Sequence, residues 1–240
     1  MLENPLQREL FTKLMLKSGL SFKELWNRKE RSNKIAYHLK HLCKIGLVSK
    51  TPRGYSLTEQ GRAICATIGS DGKIARMPTI AYLIIIKNKN RFLCQRRLKE
   101  PFRGYLSFVS GALDFGTSSI EYAKQDAQRQ TGLNITSIEP KGVEEVITYN
   151  ESKQAYHHIL LAYEARAAGI LKQTTGKENV WLTKAQIKKE NHFPKIALDD
   201  YLDPNAEFIV AEGERRMEGN TFVSGTLKRK QHYKKTGGKK

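Results

Sequence analysis

"GALDFGTSSIEYAKQDAQRQTGL" runs from Gly111 to Leu133. It opens on a glycine, turns at Asp114-Phe115-Gly116, and continues as a helical run from Ile120 to Thr131 that stops at Gly132. A glycine just past the last helical residue is a common helix stop, because it takes a left-handed conformation without penalty. The flanks decide what this unit belongs to. "IAYLIIIKNKNRFLCQRR" (80–97) reads as strand, Asn-rich turn, strand, and "LSFVSG" (106–111) as a short strand ending in a glycine turn. Downstream, "VEEVITYN" (143–150) and "AYHHILLAYEARA" (155–167) read as strands. "ENVWLTKAQIKK" (178–189) reads as a strand leading into a helix, and "IALDDYL" (196–202) as a further helix. Strands and helices mixed in this order predict a layered α/β sandwich.

The spacing of the opening stretch resembles the Nudix signature: a glycine, five residues, a glutamate, seven residues, then Arg-Glu-apolar-x-Glu-Glu-x-Gly-apolar. Laid from Gly111 without a gap, the apolar position falls on Ala127 and the closing pair on Gly132-Leu133. "RFLCQRR" is similar to the strand before the loop in that family, and "ENVWLT" to its late Trp-containing element. The resemblance covers about residues 78–204 and implies a Nudix-like α/β/α sandwich. It also implies what is missing. The signature glutamates hold magnesium, which polarises a diphosphate and activates water. Here those positions are Thr117, Asp126, Arg129 and Gln130, and the arginine is Gln125. One carboxylate survives and a cation stands at a ligand position. The expectation is a degenerate box with no catalytic residue and no metal or other cofactor; magnesium belongs only to an alternative reading as a hydrolase with rearranged ligands. Glu121, Glu144, Glu145 and Glu151 are the carboxylates such a hydrolase could draw on. The candidate ligand-binding residues are Arg97, Arg103, Gly111, Asp126 and Arg129, with Arg96 adding charge. Arg129 is the residue expected to meet a phosphate in place of the metal, by bidentate geometry. The competing reading is that Asp126 and Arg129 form only an exposed i, i+3 ion pair. His157 and His158, adjacent in a strand, must face opposite sides.

The first seventy residues have a different texture. "NPLQRELFTKLMLKSG" (4–19) has helical periodicity, with Asn4 as N-cap, Pro5 at the first helical position and Gly19 as the stop. "SFKE" (21–24) is a capping box. A third helix runs from Ser32 to Gly46, followed by two short β-prone runs around the turn Thr51-Pro52-Arg53-Gly54. Three helices and a hairpin predict a winged helix-turn-helix. "YHLKHLCKIGLVSKTPRGYSLTEQGRAI" (37–64) resembles the third helix, wing and following helix of bacterial and archaeal winged-helix transcription regulators, where "HLxxLxxxGLV" and "GYxLTxxG" recur. Ile35, Leu39 and Leu42 fall on the core side of the third helix, and Asn33, Lys34, Tyr37, Lys40, His41 and Lys44 on the other. Amide, cationic and aromatic groups on an outward face suit the major groove of double-stranded DNA, with Lys50 and Arg53 of the wing reaching flanking phosphates.

Charge supports a polyanionic partner. The 240 residues carry a net charge of +18. Residues 1–76 hold 15 basic and 6 acidic side chains, residues 77–205 hold 18 and 14, and residues 206–240 hold 9 and 4. The excess sits at the two ends, where it would add salt-dependent affinity for nucleic acid. Cys43, Cys65 and Cys94 show neither paired nor metal-ligand spacing, which points to a reducing, cytoplasmic setting. The longest apolar run, "IAYLIII" (80–86), is too short to span a bilayer, so no membrane partner is expected. The expected organisation is α+β in two domains: a winged helix-turn-helix over 1–72, a Nudix-like domain over 73–205, and a basic, partly disordered tail over 206–240, the disorder falling on its last run, "KRKQHYKKTGGKK" (228–240). The whole resembles Nudix-related transcription regulators with the domain order reversed. That resemblance implies a nucleotide-type small-molecule effector; a homodimer is expected because two recognition helices read a palindromic site, and a nucleic-acid-binding scaffold without a small ligand is a further alternative.

Overall fold

The computed structural model describes residues 2–69, 73, 75–100, 102–190, 197–219 and 221–234. The chain divides into two compact units, Met1–Met77 and Pro78–Lys240. The division falls five residues beyond the expected end of the first domain. Ala75 N–H donates to Thr67 O at 2.7 Å and Gly69 N–H to Lys73 O at 2.8 Å, which bonds Lys73 and Ala75 to the first unit.

The first unit holds helices α1 (Pro5–Leu16), α2 (Phe22–Leu25) and α3 (Ser32–Lys44), the hairpin β1 (Val48–Thr51) and β2 (Gly54–Leu57), and α4 (Glu59–Cys65). Asn4 caps α1 by accepting from Leu6 N–H at 2.9 Å, next to Pro5. The capping box of α2 is complete: Ser21 N–H donates to Glu24 at 2.8 Å and Glu24 N–H to Ser21 Oγ at 3.3 Å. These local bonds satisfy helix N–H groups that have no partner inside the helix. Leu10, Phe11, Leu14, Leu25, Ile35, Leu39 and Leu42 close one apolar core between the helices and the hairpin.

The second unit is built on one eight-stranded mixed sheet. Its strands are β3 (Thr79–Asn88), β4 (Arg91–Arg97), β5 (Leu106–Ala112), β6 (Asn134–Asn150), β7 (Lys153–Ala168), β8 (Lys177–Thr183), β9 (Phe208–Glu218) and β10 (Thr221–Tyr233), in the order β10-β9-β6-β7-β3-β5-β4-β8. The β3–β7 and β6–β9 pairs are parallel and the rest antiparallel. Helix α5 (Ser119–Thr131) covers one face, while α6 (Lys184–Lys189) and α7 (Leu198–Tyr201) cover the other. Alternation along β3 serves both layers. Tyr82, Ile84 and Ile86 pack in the core that α5 closes through Ala123 and Ala127, and Ile85 packs in the core that holds Ile187, Leu198 and Tyr201. The alanines let α5 lie close on the strands. Gly132, at φ +74°, ends α5 as expected, its N–H donating to Gln128 O at 2.7 Å.

The C-terminal stretch corrects an expectation. The described part of residues 206–240 is mostly strand: β9 joins the sheet beside β6, and β10 pairs antiparallel with β9 from Thr221 to Tyr233. The basic run "KRKQHY" (228–233) is strand, paired with β9 along its length, and two of its cations meet carboxylates of β9 and α7. Lys228 pairs with Glu214 at 3.1 Å, and Lys230 with Asp200 at 3.1 Å. Residues 235–240 lie outside the described residues.

Candidate functional site

Asp126, the one surviving box carboxylate, is committed to its own fold. Tyr82 Oη donates to Asp126 Oδ2 at 2.5 Å, Gln130 Nε2 donates to the same oxygen at 2.7 Å, and Arg129 Nη2 lies 3.0 Å from Oδ1. Burial, and then the bond to Asp126, raises the Tyr82 phenol well above its ordinary range. Gly111 sits beneath this cluster. A Cβ there would come within 2.8 Å of Asp126 Oδ2 and 3.0 Å of the Tyr82 ring, so the loop glycine is fixed by close packing.

An unforeseen group completes the arrangement. Lys177, the first residue of β8, sends its ammonium to Gln130 Oε1 at 2.6 Å, Gln95 Oε1 at 3.0 Å and the Ser110 carbonyl at 3.0 Å. All three of its hydrogens are thereby used. Gln95 and Asn179, both buried, extend the chain of bonds: Gln95 Nε2 donates to Asn179 Oδ1 at 2.9 Å, and Asn179 Nδ2 to Gln130 O at 2.8 Å. Burial lowers the Lys177 pKa to about 8, Asp126 opposing that shift and Arg97 and Lys99 adding to it.

Magnesium does not fit these residues. It requires a shell of oxygen ligands. Here the box positions present Arg129 and the amide of Gln130, with an ammonium against that amide's oxygen and the single carboxylate already accepting three donors. Among the described residues, no group of three or more His, Cys, Asp or Glu side chains is arranged to hold a metal ion.

A cavity of about 280 Å³ opens on the sheet face opposite α5. Its walls are apolar and aromatic, with Leu83, Phe108, Leu160, Tyr105 and Phe222 among them, and its polar lining includes Glu144, His158, Tyr201 and Arg215. Glu144 is almost fully buried; Tyr201 Oη donates to it at 3.0 Å and Arg215 Nη2 stands 3.6 Å away. Burial raises the Glu144 carboxyl above its usual range, opposed by the Arg215 guanidinium. His158 Nδ1 and Arg215 Nε are buried with no hydrogen-bond partner. Burial, then the nearby Arg215, lowers the His158 pKa, so its ring is neutral at pH 7. His157 points the other way, as the strand alternation predicts, and meets Glu145 at 2.9 Å.

The structure does not gather the five predicted ligand residues in one place. Arg97 and Gly111 line the cavity. Asp126 and Arg129 belong to the α5 side, where Arg129 is 65% exposed, paired with Asp126 and lying 5.8 Å from the Tyr122 ring centre. Arg103 is exposed and is not among the cavity-lining residues. Sequence reasoning missed Glu144 and Arg215 as a pair, because they meet only through the parallel register that sets Glu144 beside Ala211 on β9.

In the first unit, Asn33, Lys34, Tyr37, Lys40 and Lys44 are exposed along α3 and His41 is half-buried. Lys34 pairs with Glu30 at 2.9 Å. Lys50 and Arg53 are exposed on the β1–β2 hairpin, with Lys50 Nζ 5.7 Å from the Tyr55 ring centre. Cys43 and Cys65 are half-buried and Cys94 is buried; all three are free thiols. No helix among the described residues is long and apolar enough to cross a membrane.

No protein-family model and no curated protein sequence matches the chain. Solved structures do. The chain is similar to a MutT protein from Bacillus halodurans, at 18% identity over 62% of this chain and 97% of that one, with a TM-score of 0.50. A MutT protein from Methanosarcina mazei Go1 aligns at 15% identity over 54% of this chain and 94% of that one, TM-score 0.43. A NUDIX-family hydrolase from Clostridium perfringens aligns at 14% identity over 53% and 98%, TM-score 0.42. The likeness to the first shows the fold: the mixed α+β chain contains a Nudix-like domain built on the large sheet.

Proposed function

We propose that this chain is a DNA-binding regulator whose Nudix-like domain binds a nucleotide-type small molecule and does not hydrolyse it through a metal. The observation that carries the second half is the commitment of Asp126 to Tyr82, Gln130 and Arg129, with the Lys177 ammonium bound to Gln130. Hydrolysis of a diphosphate by Nudix chemistry needs carboxylates open to a metal, and the box positions of α5 offer none in that state; Glu121, exposed on the same helix, lies outside them. The cavity supports binding. Its apolar and aromatic walls suit a planar ring, Arg215 Nε and His158 Nδ1 are unpartnered polar atoms in its lining, and Arg97 adds a cation for an anionic substituent.

The first half rests on the first unit as a winged helix-turn-helix. An exposed α3 face bearing Asn33, Lys34, Tyr37, Lys40 and Lys44, with Lys50 and Arg53 on a short hairpin, fits groove entry and phosphate contact. Two copies reading a palindromic site make a homodimer the working assembly. A salt-dependent shift assay on duplex DNA tests this: binding should weaken steeply with salt and fall in a Tyr37→Ala, Lys40→Ala, Arg53→Ala variant. Effector binding is tested by thermal shift against nucleotides, where Arg215→Met should abolish a shift that Arg129→Ala leaves intact.

The fold favours a second reading, a Nudix hydrolase of nucleoside diphosphate derivatives with a rearranged metal site and a tethering first unit. It requires turnover with magnesium that is lost on Asp126→Ala or Glu121→Ala.

A further inference from the structure

Lys177 is held by acceptors from three other elements: Gln95 on β4, the Ser110 carbonyl on β5 and Gln130 on α5. The contacts are at 3.0, 3.0 and 2.6 Å, and none of the three acceptors carries a charge. An ammonium drawn out of water costs several kcal/mol unless its hydrogens are bonded and a counter-charge is near. Here the bonds are complete, and Asp126 supplies the counter-charge one bond away through Gln130. The geometry is that of a cation site: a positive centre coordinated by oxygens from helix and strands, placed where α5 meets the sheet. In the Nudix signature the residues at Arg129 and Gln130 would be glutamates serving a divalent ion.

We propose that Lys177 is the resident cation of this site, tying α5 to β4, β5 and β8. The domain then holds its helix without a divalent ion. Arg129, mostly in water, contributes little to that attachment. The inference rests on the metal-free reading of α5 but not on DNA binding or on the identity of any effector.

The test uses the full chain. Wild-type Tm should not move when magnesium or manganese chloride replaces sodium chloride at equal ionic strength. Lys177→Met, which keeps the stem and deletes the ammonium, should lower Tm by about 5 °C or more by stranding buried acceptors. Combining Lys177→Ser with Arg129→Glu and Gln130→Glu should create a Tm that rises with added magnesium. Should Lys177→Met fail to fold, the wild type still decides the matter. The Lys177 ammonium, told by assignment from that of Lys141, which is also buried and bonded to carbonyls, should exchange its protons slowly enough to be seen by nitrogen-15 NMR at mildly acid pH. A wild-type Tm raised by magnesium, a Lys177→Met variant melting like wild type, or an unprotected Lys177 ammonium in the wild type would each overturn the proposal. A negative shift assay with DNA would leave it standing, which separates its failure from that of the regulator reading.

Discussion

Helices α3 and α5 are each thirteen residues long, and each presents an alternation of polar and apolar positions. Their polar groups have opposite fates. On α3, Tyr37, Lys40 and Lys44 stand in water, and among the described residues Lys40 and Lys44 make no ion pair. On α5, Asp126 and Gln130 turn inward and are bonded to Tyr82, Ser110 and Lys177. A polar face can meet a partner only with groups its own fold has not used. By that measure α3 is an available surface, and α5 is closed at Asp126 and Gln130, although the sequence resemblance there points to chemistry.

The largest expected effect breaks the comparison at α3. The triple variant Tyr37→Ala, Lys40→Ala, Arg53→Ala should weaken duplex DNA binding about a hundredfold at low salt and flatten the salt slope by about two, one per phosphate cation removed. Its Tm should stay at the wild-type value, since these side chains are exposed. Equal affinity for wild type and variant would remove α3 as the interface. On α5 the effects should appear as stability. Asp126→Ala removes the acceptor of the buried Tyr82 hydroxyl and one of the acceptors of the Gln130 amide, which keeps Ser110 O, and should cost about 2 kcal/mol in urea unfolding. Gly111→Val should cost about as much by forcing Asp126 and Tyr82 apart. A stable Asp126→Ala protein would show that the cluster does not hold α5.

Smaller effects sharpen the contrast. Gly132→Ala places a side chain at φ +74° against Lys172 and should cost about 1 kcal/mol. Arg129→Ala should change stability by only about 0.3 kcal/mol, because its ion pair is exposed. The smallest effect concerns Glu24, whose pKa is lowered from 4.5 to about 2, first by the bond from the Ser21 backbone N–H. The folded pKa lies below the unfolded one, so this support of α2 is complete above pH 4.5 and disappears as pH falls toward 2. Exchange of the Ser21 amide should accelerate over that window, and Glu24→Gln should remove the pH dependence.

Local chemistry was legible in the sequence. Asn4-Pro5, the Ser21–Glu24 box and the Gly132 stop act within a few residues, and each forms as its residue types require. The loop–helix spacing from Gly111 likewise pointed to the fold of the second unit. What stayed hidden depends on partners far apart in the chain. Lys177 reads as an ordinary surface lysine until β8 pairs with β4 and carries it beneath Gln130. Arg215 meets Glu144 only because β9 runs parallel to β6. The basic run after Leu227 has the composition of a solvated tail, and its strand exists through cross-strand pairing with Glu212 and Glu214 on β9. Arg129 shows the converse. Its position in a known motif drew attention, yet it makes an exposed contact within its own helix.

The most direct test is turnover. The purified full chain should be incubated with a panel of nucleoside diphosphate derivatives, with magnesium and separately with manganese, and products quantified by chromatography. The closed α5 face predicts no hydrolysis above buffer with any substrate and either metal. Metal-dependent hydrolysis that disappears in Asp126→Ala, while that variant remains folded, would contradict it.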